Sequence, residues 1–600
     1  MRELEIEYMQ TDPQAKADSS VAVNDMQPFG SIQSLRYDGI YPPGKFATLE
    51  HNYWLLDDSF DMMTGLKISS LEWSLFSTKM SGGTGQFSSP IVIDVVFGDI
   101  HKFPGLTLLF YPFTNDYADK IRVTWYNMSN GIIHTGIYSN NSVKASIKEQ
   151  IADCKRIKIE LLSTNHPYRF LKLYAIEYGI VYIFPDGDIN SARVFEEIDS
   201  ISNSLSVNTL NFNILKKNPD FTSFGSIPNE YLMKNQKLRL SRNNELFGFF
   251  FLQKWKDKTL NNISFDFNCV DAIGIMQNYE FLGGMYRNTP AEGLIAELFE
   301  ICFPTRYIIY LLDPAFANET ITGYMPIMNC REALQWICFS MGAIADASRR
   351  NTVWIYPRET ETMYNIPRDK VYRNGSLETL AYISQVNVTS HSFTEGGLYG
   401  DSTLFEDALP VGAHRILTGK PVAGAALDVW IGSASITETH VNYIMIKVTV
   451  EARVTLRVSY HGDSQLVHSV KDPYIASGEI ENIISFEDCT IVNRDNAERI
   501  AKNIYNCSKK RIMVKTGIVF DCQEVGYIAN VGLQNNMIIN GTIKSLDIDL
   551  RSKKTAANII GDILPNLFCV NTLPMREANY IWLDDAVWDD NKFWIDGIWS

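Results

Sequence analysis

The sequence predicts a multidomain, mainly β protein: an N-terminal β-sandwich followed by a longer α+β region. Three observations predict it. At 600 residues the chain is several times the usual domain size of roughly 100–150 residues, so three or more separate cores are expected. Its composition, 46% hydrophobic, 12% aromatic and 20% charged, is that of a folded protein, and its wealth of Tyr, Phe, Asn, Ile and Ser over Ala favours strands and turns. Short alternating apolar runs recur along the chain, whereas helical periodicity with capping signals is confined to three places.

Residues 1–29 are polar and mixed and read as an N-terminal arm. From residue 30 the pattern is strand, turn, strand: FATLEHNYWLL, SSLEWSLFS, the Gly-rich turn SGGTGQFSS, PIVIDVVFG, GLTLLFYPF, DKIRVTWYN, CKRIKIELL and FLKLYAIEYG. Ile157, Ile159 and Leu161 alternate with Lys158 and Glu160, as a sheet with one face in the core requires. Residues 30–182 are therefore expected to form a β-sandwich that folds alone. Residues 183–375 are strand-rich and carry two helices. One opens at Thr289, Pro290 and Glu292 with an apolar stripe of Leu294, Ile295, Leu298, Ile301 and Cys302. The next starts at Asn329 with Glu332, buries Leu334, Ile337, Cys338 and Met341, and stops at Gly342. Residues 376–480 read as a β-rich insertion, ending in the alternating VNYIMIKVTVEARVTLRVSYH. In residues 481–566 a third helix is expected to start at Asp495 with Glu498 and to bury Ile500, Ala501, Ile504 and Tyr505. Strands at RIMVKTGIVF and MIINGTIKSLDIDL follow it.

The formal charge of −15 is spread thinly, which argues against specific nucleic-acid binding. Nine cysteines, scattered without a CxxC pair, fit reduced thiols in a protein made in the cytosol. The first residues lack the apolar core of a signal peptide, and no apolar run reaches the roughly 18 residues of a membrane segment.

No catalytic motif is present: the sequence holds no HExxH, GxSxG or GxxxxGKS/T segment, and its histidines are dispersed. No catalytic residue, metal site or cofactor is therefore expected. Asp186, Asp188, Asn190 and Glu197 have the spacing of a calcium loop. However, Ser191 replaces its glycine, Arg193 stands where an apolar residue belongs, and IVYIF before it is a strand, so a turn is expected. Nothing selects a catalytic pair among the 69 acidic residues. In the sandwich, Trp54, Trp73, Trp125, Tyr126 and Tyr138 either fill the core or stack on a sugar, with Trp125, Tyr126 and Tyr138 the candidate stacking set. At the C-terminus, Trp582, Trp588 and Trp594 recur every six residues with Asp584, Asp590 and Asp596 two beyond each, and Trp599 follows. An even period keeps the rings on one face of an extended strand, so residues 567–600 read as an arm that docks on its own chain or on a neighbour.

Several segments together resemble the central hub proteins of phage tail baseplates, including siphophage tail-associated proteins and the hubs of contractile tails and tail-like bacteriocins. CREALQWICFSMGAIADASRRNTVWIYPR (330–358) is similar to a helix that ends in a small-residue turn and enters a hairpin. SVNTLNFNILKKNPDF, NELFGFFFLQKWKDK and ISFDFNCVDAIGIMQNYEF resemble a first barrel, and DNAERIAKNIYNCSKKR, EVGYIANVG and GTIKSLDIDL a closing one. The resemblance implies two β-barrels per chain in a homotrimer that caps the tail tube or distal tail protein ring. It further implies contacts with the tape measure protein or the tail tip or spike, and with other baseplate proteins, in the virion tail baseplate or a contractile injection system. GLTLLFYPFTNDYADKIRVTWYN and PYRFLKLYAIEYG resemble galactose-binding-like jelly rolls of phage tail proteins. A receptor-binding or carbohydrate-binding tail protein, and a cell-wall-degrading tail-associated lysin, are the alternatives.

Overall fold

The computed structural model describes residues 4–31, 74–215, 235–257, 264–473 and 482–564, less a few positions inside these spans, together with isolated residues between 35 and 60. The chain is mainly β and divides into two compact units. The first comprises Met1–Asn190, Asn213–Cys269 and Phe303–Ile309, and the second Ser191–Phe212, Val270–Cys302 and Tyr310–Ser600.

The first unit begins with β1 (Leu4–Thr11), α1 (Pro13–Asp18) and β2 (Ser20–Val23). It runs on through β3 (Leu75–Met80), β4 (Gln86–Phe103), β5 (Leu106–Phe110), β6 (Ala118–Tyr126), β7 (Ile132–Ser139), β8 (Lys144–Ile147), β9 (Ile151–Thr164), β10 (Phe170–Glu177) and β11 (Gly179–Pro185). β12 (Ile189–Glu197) leads the chain out and β13 (Thr209–Leu215) leads it back to β14 (Lys237–Arg242), β15 (Glu245–Asp257) and β16 (Ser264–Val270). Two antiparallel sheets, ordered β2-β4-β9-β6-β7 and β3-β10-β5-β8, make the expected sandwich. Alternation explains its core: Ile91, Ile93 and Val95 of β4, Ile157, Ile159 and Leu161 of β9, and Ile121, Val123 and Trp125 of β6 cluster with Leu106, Leu108 and Phe110 of β5 and Leu171 and Leu173 of β10.

The N-terminal residues, read as an arm, are part of this unit. β1 lies between β11 and β14, antiparallel to both. Its Leu4, Ile6 and Tyr8 are buried, because LEIEYM is itself an alternating strand. The alternate carboxylate of Glu7 is also buried, and is held by Lys144 at 2.6 Å and Arg239 at 3.3 Å. Ala15 of α1 enters the sandwich core and β2 pairs with β4. The His101 imidazole bridges Asp12, the N-cap of α1, and Asp18, its last residue, which lie 2.9 and 3.0 Å from its two nitrogens. The charges that made this segment look like a solvated arm are satisfied by partners more than eighty residues away.

The second unit holds α2 (Ala272–Met276), β17 (Glu280–Phe281), β18 (Gly284–Pro290), α3 (Ala291–Cys302), β19 (Ile309–Leu312), β20 (Thr320–Met325), β21 (Met328–Asn329), α4 (Cys330–Met341), β22 (Ala343–Asp346), β23 (Thr352–Pro357), β24 (Thr362–Ile366) and β25 (Ser376–Thr379). Next come β26 (Gln385–Thr394), β27 (Ser402–Leu409), β28 (Gly412–Leu417), β29 (Val422–Thr439), β30 (Tyr443–Tyr460), β31 (Gly462–Lys471) and β32 (Ile483–Phe486). α5 (Arg494–Ser508), β33 (Ile512–Val519), β34 (Ile528–Gly532), β35 (Ile538–Asp549) and β36 (Lys554–Leu564) close it.

α4 follows its sequence signals: Asn329 accepts from the Glu332 amide, Leu334, Ile337, Cys338 and Met341 are buried, and Gly342 ends the helix at φ 73°. α3 differs in its last turn, where Ile301 is half exposed and Phe299 is buried instead. The face that packs turns toward Tyr310, whose ring lies 5.2 Å from that of Phe299. α5 is capped two residues earlier than expected, at Asn493 instead of Asp495. Asn493 and Asn496 form a reciprocal capping box, while Glu498, expected to cap, reaches forward to Lys502 at 2.6 Å.

β35 pairs with β12, β34 and β36, and β36 with β33. Of the segment read as an insertion, β26 packs on α5: Val386 and Val388 share a core with Ile500, Ala501 and Ile504. In the same segment β25 pairs with β33 and β31 with β26, while β27 to β30 form a long sheet three strands wide, with β30 in the centre, β29 on one side and β27 and β28 end to end on the other. Midway along, β27 gives way to β28 at Pro410–Val411, and β29 shifts register between Val429 and Ala434. Gly432 there has φ 83°, and a Cβ on it would collide with the Glu451 carbonyl. The pairing on both sides of β30 is broken at this waist, while β30 itself runs through it.

Candidate functional site

The sequence-selected aromatics of the sandwich occupy different environments. Trp125 is wholly buried, so it has no face to offer a sugar and acts as a core residue, a correction to its place in the stacking set. Inward-facing positions of β6 alternate as Ile121, Val123 and Trp125, which puts the indole between the sheets. Tyr138 lies edge-on to it at 6.2 Å, and its hydroxyl folds over Gly136, where any side chain would collide with it. Burial, and then Glu149 beside it, push the Tyr138 phenol up to about 12. Tyr126 carries the Arg156 guanidinium 5.0 Å from its ring centroid, and Arg156 is clamped by Asp94 at 2.7 and 2.6 Å. The outer face of Tyr126 is thus already occupied by a cation. Trp54 and Trp73, and the arm residues Trp582, Trp588, Trp594 and Trp599, lie outside the described residues.

The calcium-like spacing folds as a turn: Asp186–Asp188 join β11 to β12, with the Asp188 amide donating to the Pro185 carbonyl at 2.9 Å. Among the described residues there is no group of three or more His, Cys, Asp or Glu side chains able to hold a metal ion. Nor, among them, is any helix long and apolar enough to cross a membrane.

Two exposed apolar surfaces stand out. On β7, an edge strand, Ile132, Ile133 and Ile137 face solvent, with Met128 in the preceding turn. In the second unit the waist of the three-stranded sheet exposes Val411, Trp430, Ile431 and Val450, with Trp430 at 66%. The Trp430 indole N–H donates to Thr455 Oγ1 at 2.9 Å, which fixes the ring while leaving most of it uncovered. Sequence reasoning passed over Trp430. The signal was the broken alternation in DVWIGSAS, where the tryptophan stands two residues before the glycine of a bulge. Exposed aromatic and aliphatic side chains on sheets with open edges are suited to protein contacts.

Inside the second unit, α5 walls a cavity of about 530 Å³ lined by Arg358, Lys510, Cys507, Phe339 and Asn503 among others. Arg358 donates to the Cys507 thiol at 2.5 Å. Burial and the neighbouring Arg358 hold the Lys510 ammonium below its usual range. A buried acid network lies elsewhere in the same unit. Asp271 caps α2 by accepting from the Gly274 amide at 2.8 Å and takes the Asn208 amide at 2.9 Å. Asn208 reaches Ser348 at 3.0 Å, and Ser348 donates to Asp346 at 2.6 Å. Burial pushes the Asp271 carboxyl up to about 7 against the pull of those amides, and Asp346 adds to the rise. These carboxylates are enclosed and tied to backbone amides, an arrangement that organises a fold rather than one that meets a substrate.

No protein-family profile matches the chain, and no curated protein matches it in sequence. Among solved structures it is similar to a tail protein from Neisseria meningitidis MC58, at 9% identity over 64% of this chain and 94% of that one, with a TM-score of 0.38. It is similar to the 43 kDa tail protein of prophage MuSo2 from Shewanella oneidensis, at 11% identity over 63% and 95%, TM-score 0.37. It is also similar to the prophage tail protein gp18 from Listeria monocytogenes EGD-e, at 7% identity over 67% and 96%, TM-score 0.35. All three are described as tail proteins, two of them from prophages.

Proposed function

We propose that the chain is a non-catalytic structural subunit of a phage-type tail, a baseplate hub that assembles as a homotrimer, caps the tail tube and connects it to the tip and to peripheral baseplate proteins. The observation that carries this reading is element order. The hub-like segments quoted from the sequence fold as strands β13, β15 and β16, then helix α4 with its αL glycine and the β22–β23 hairpin, then α5 with strands β34 and β35. That is the succession the resemblance implied. The exposed apolar waist around Trp430 and the β7 edge support an assembly role, since such surfaces are costly to leave in water. Residues 567–600 serve, in this reading, as an aromatic arm that docks on the chain itself or on a tail neighbour. The test is the mass distribution of the purified full chain by mass photometry across the micromolar range. A threefold species is expected; monomer alone, with no trimer in assembled particles either, overturns the trimeric hub.

A further inference from the structure

Two cavities meet along the C-terminal half of α5 in the second unit, one of about 530 Å³ and one of about 350 Å³. Ser200, Ile201, Arg358, Ile504, Cys507 and Lys510 line both, so the two form one groove. Its walls are apolar, with Phe339 and Met341 in the larger cavity and Ile383 and Ile560 in the smaller. Cavities of this size and lining accept bulky apolar groups, and the few polar side chains in them fix orientation. Two cations stand side by side where the cavities join: Arg358 donates to the Cys507 thiol, a weak acceptor, and bears on the Lys510 ammonium. Neither makes an ion pair among the described residues, although Asp562 on β36 bears on Lys510. The lining's other cations have carboxylates, Arg499 from Glu319 at 2.6 and 2.9 Å and Lys544 from Glu197 at 3.8 Å. Of its two acids, Asp199 and Glu359, the first already accepts from the Ile201 and Ser204 amides. In a chain of net charge −15 this groove is therefore locally cationic.

We propose that this groove is the docking site of the chain's own aromatic arm, residues 581–600, with indole rings filling the apolar cavities and the aspartates that follow them pairing with Arg358 and Lys510. Three observations argue for that occupant. The first is charge: residues 581–600 carry Asp584, Asp585, Asp589, Asp590 and Asp596 against the single Lys592, interleaved with four tryptophans, which matches apolar walls around a cationic centre. The second is position: Ile560 of β36 lines the groove, and β36 ends four residues on at Leu564, where the described part of the chain stops. The third is reach. Eighteen residues separate Leu564 from Trp582, a span of up to about 60 Å, so the tether does not restrict which part of the groove the first ring enters. A tethered segment also meets its site at an effective concentration on the order of millimolar, which favours the chain's own arm over one from a second copy in micromolar solution. The proposal rests on the reading of residues 567–600 as a docking arm, gives that arm one surface, and is independent of the trimeric hub.

The test is photocrosslinking of the full chain with p-benzoylphenylalanine, an aromatic photoreactive residue, in place of Trp588. The protein is irradiated at micromolar concentration, run on a denaturing gel, digested and read by mass spectrometry. Crosslinks to peptides containing residues 339–342, 358–360 or 500–510 are expected, in material that runs at the mass of one chain. Adding Lys510→Glu should lower their yield severalfold, as should about 1 M salt, which screens the ion pairs without altering the fold's sequence. A yield unmoved by both overturns the pairing with Arg358 and Lys510. Groove crosslinks found only between chains give the site to a second copy, and crosslinks confined to another surface leave a docking arm with a different site; either result overturns the proposal. The absence of any protein crosslink overturns the docking-arm reading itself. None of these outcomes bears on the trimeric hub, which particle mass tests separately.

Discussion

Glu7 shows how a single residue misleads a sequence reading. Its charge marked the N-terminus as a solvated arm, yet the carboxylate is buried between Lys144 and Arg239. Replacing it by alanine leaves two cations without their anion, and Glu7→Ala should cost about 3 kcal/mol in chemical denaturation; a loss within 0.5 kcal/mol, the scatter of a surface change, would return the segment to the status of an arm. Asp271 gives a pH-dependent test. Its folded pKa of about 7 lies above the ordinary carboxylate value of 3.8, so the folded state holds the proton more tightly. Below the unfolded value the carboxyl is protonated in both states, and its contribution to stability is fully present; as pH rises toward and through 7 that contribution is lost. Asp271→Asn, neutral throughout, should therefore gain on the parent between about pH 4 and 7 and hold a constant difference above. A difference independent of pH would show that the carboxyl ionises normally. Partners remote in sequence are what composition cannot show: Glu7 and Arg239, or Asp271 and Asn208, meet only once the strands are paired.

At the scale of elements, regular periodicity was legible and its interruptions were not. The Ile157, Ile159 and Leu161 alternation and the Asn329 to Gly342 helix are local patterns, set by side-chain period and by capping chemistry within a few residues. The α5 cap was misplaced because Asn493 and Asp495 both satisfy the preference for a small polar residue, and only the backbone decides between them. The waist of the three-stranded sheet was hidden for a different reason. The alternation of VNYIMIKVTVEARVTLRVSYH continues straight through it, and the break is carried by the neighbouring strands at Pro410–Val411 and Gly432. Gly432 combines φ 83° with a carbonyl in the place of its Cβ, so Gly432→Val should destabilise the second unit by about 2 kcal/mol or more. A variant as stable as the parent would mean that the bulge moves freely along the strand.

For the whole molecule, the strand-rich architecture and the sandwich were readable from the sequence, and the boundaries were not. A cut at residue 30 removes β1, α1 and β2, which supply Ala15 to the sandwich core and a strand to one of its sheets. A 30–182 fragment, expected from strand count to fold alone, should accordingly melt less cooperatively and at lower temperature than a 1–190 fragment; equal transitions in calorimetry would show those N-terminal elements to be dispensable. The candidate site was the least legible part. The exposed surfaces around Trp430 and along β7 emerge from sheet order, whereas the aromatic content that drew attention to Trp125 reported a core residue. The most direct test of a hub role is electron microscopy of tail particles carrying a gold label on this chain. Gold at the distal end of the tail tube, where the tube meets the tip, is the expected result; gold distributed along the tube, or particles that carry none, would contradict it.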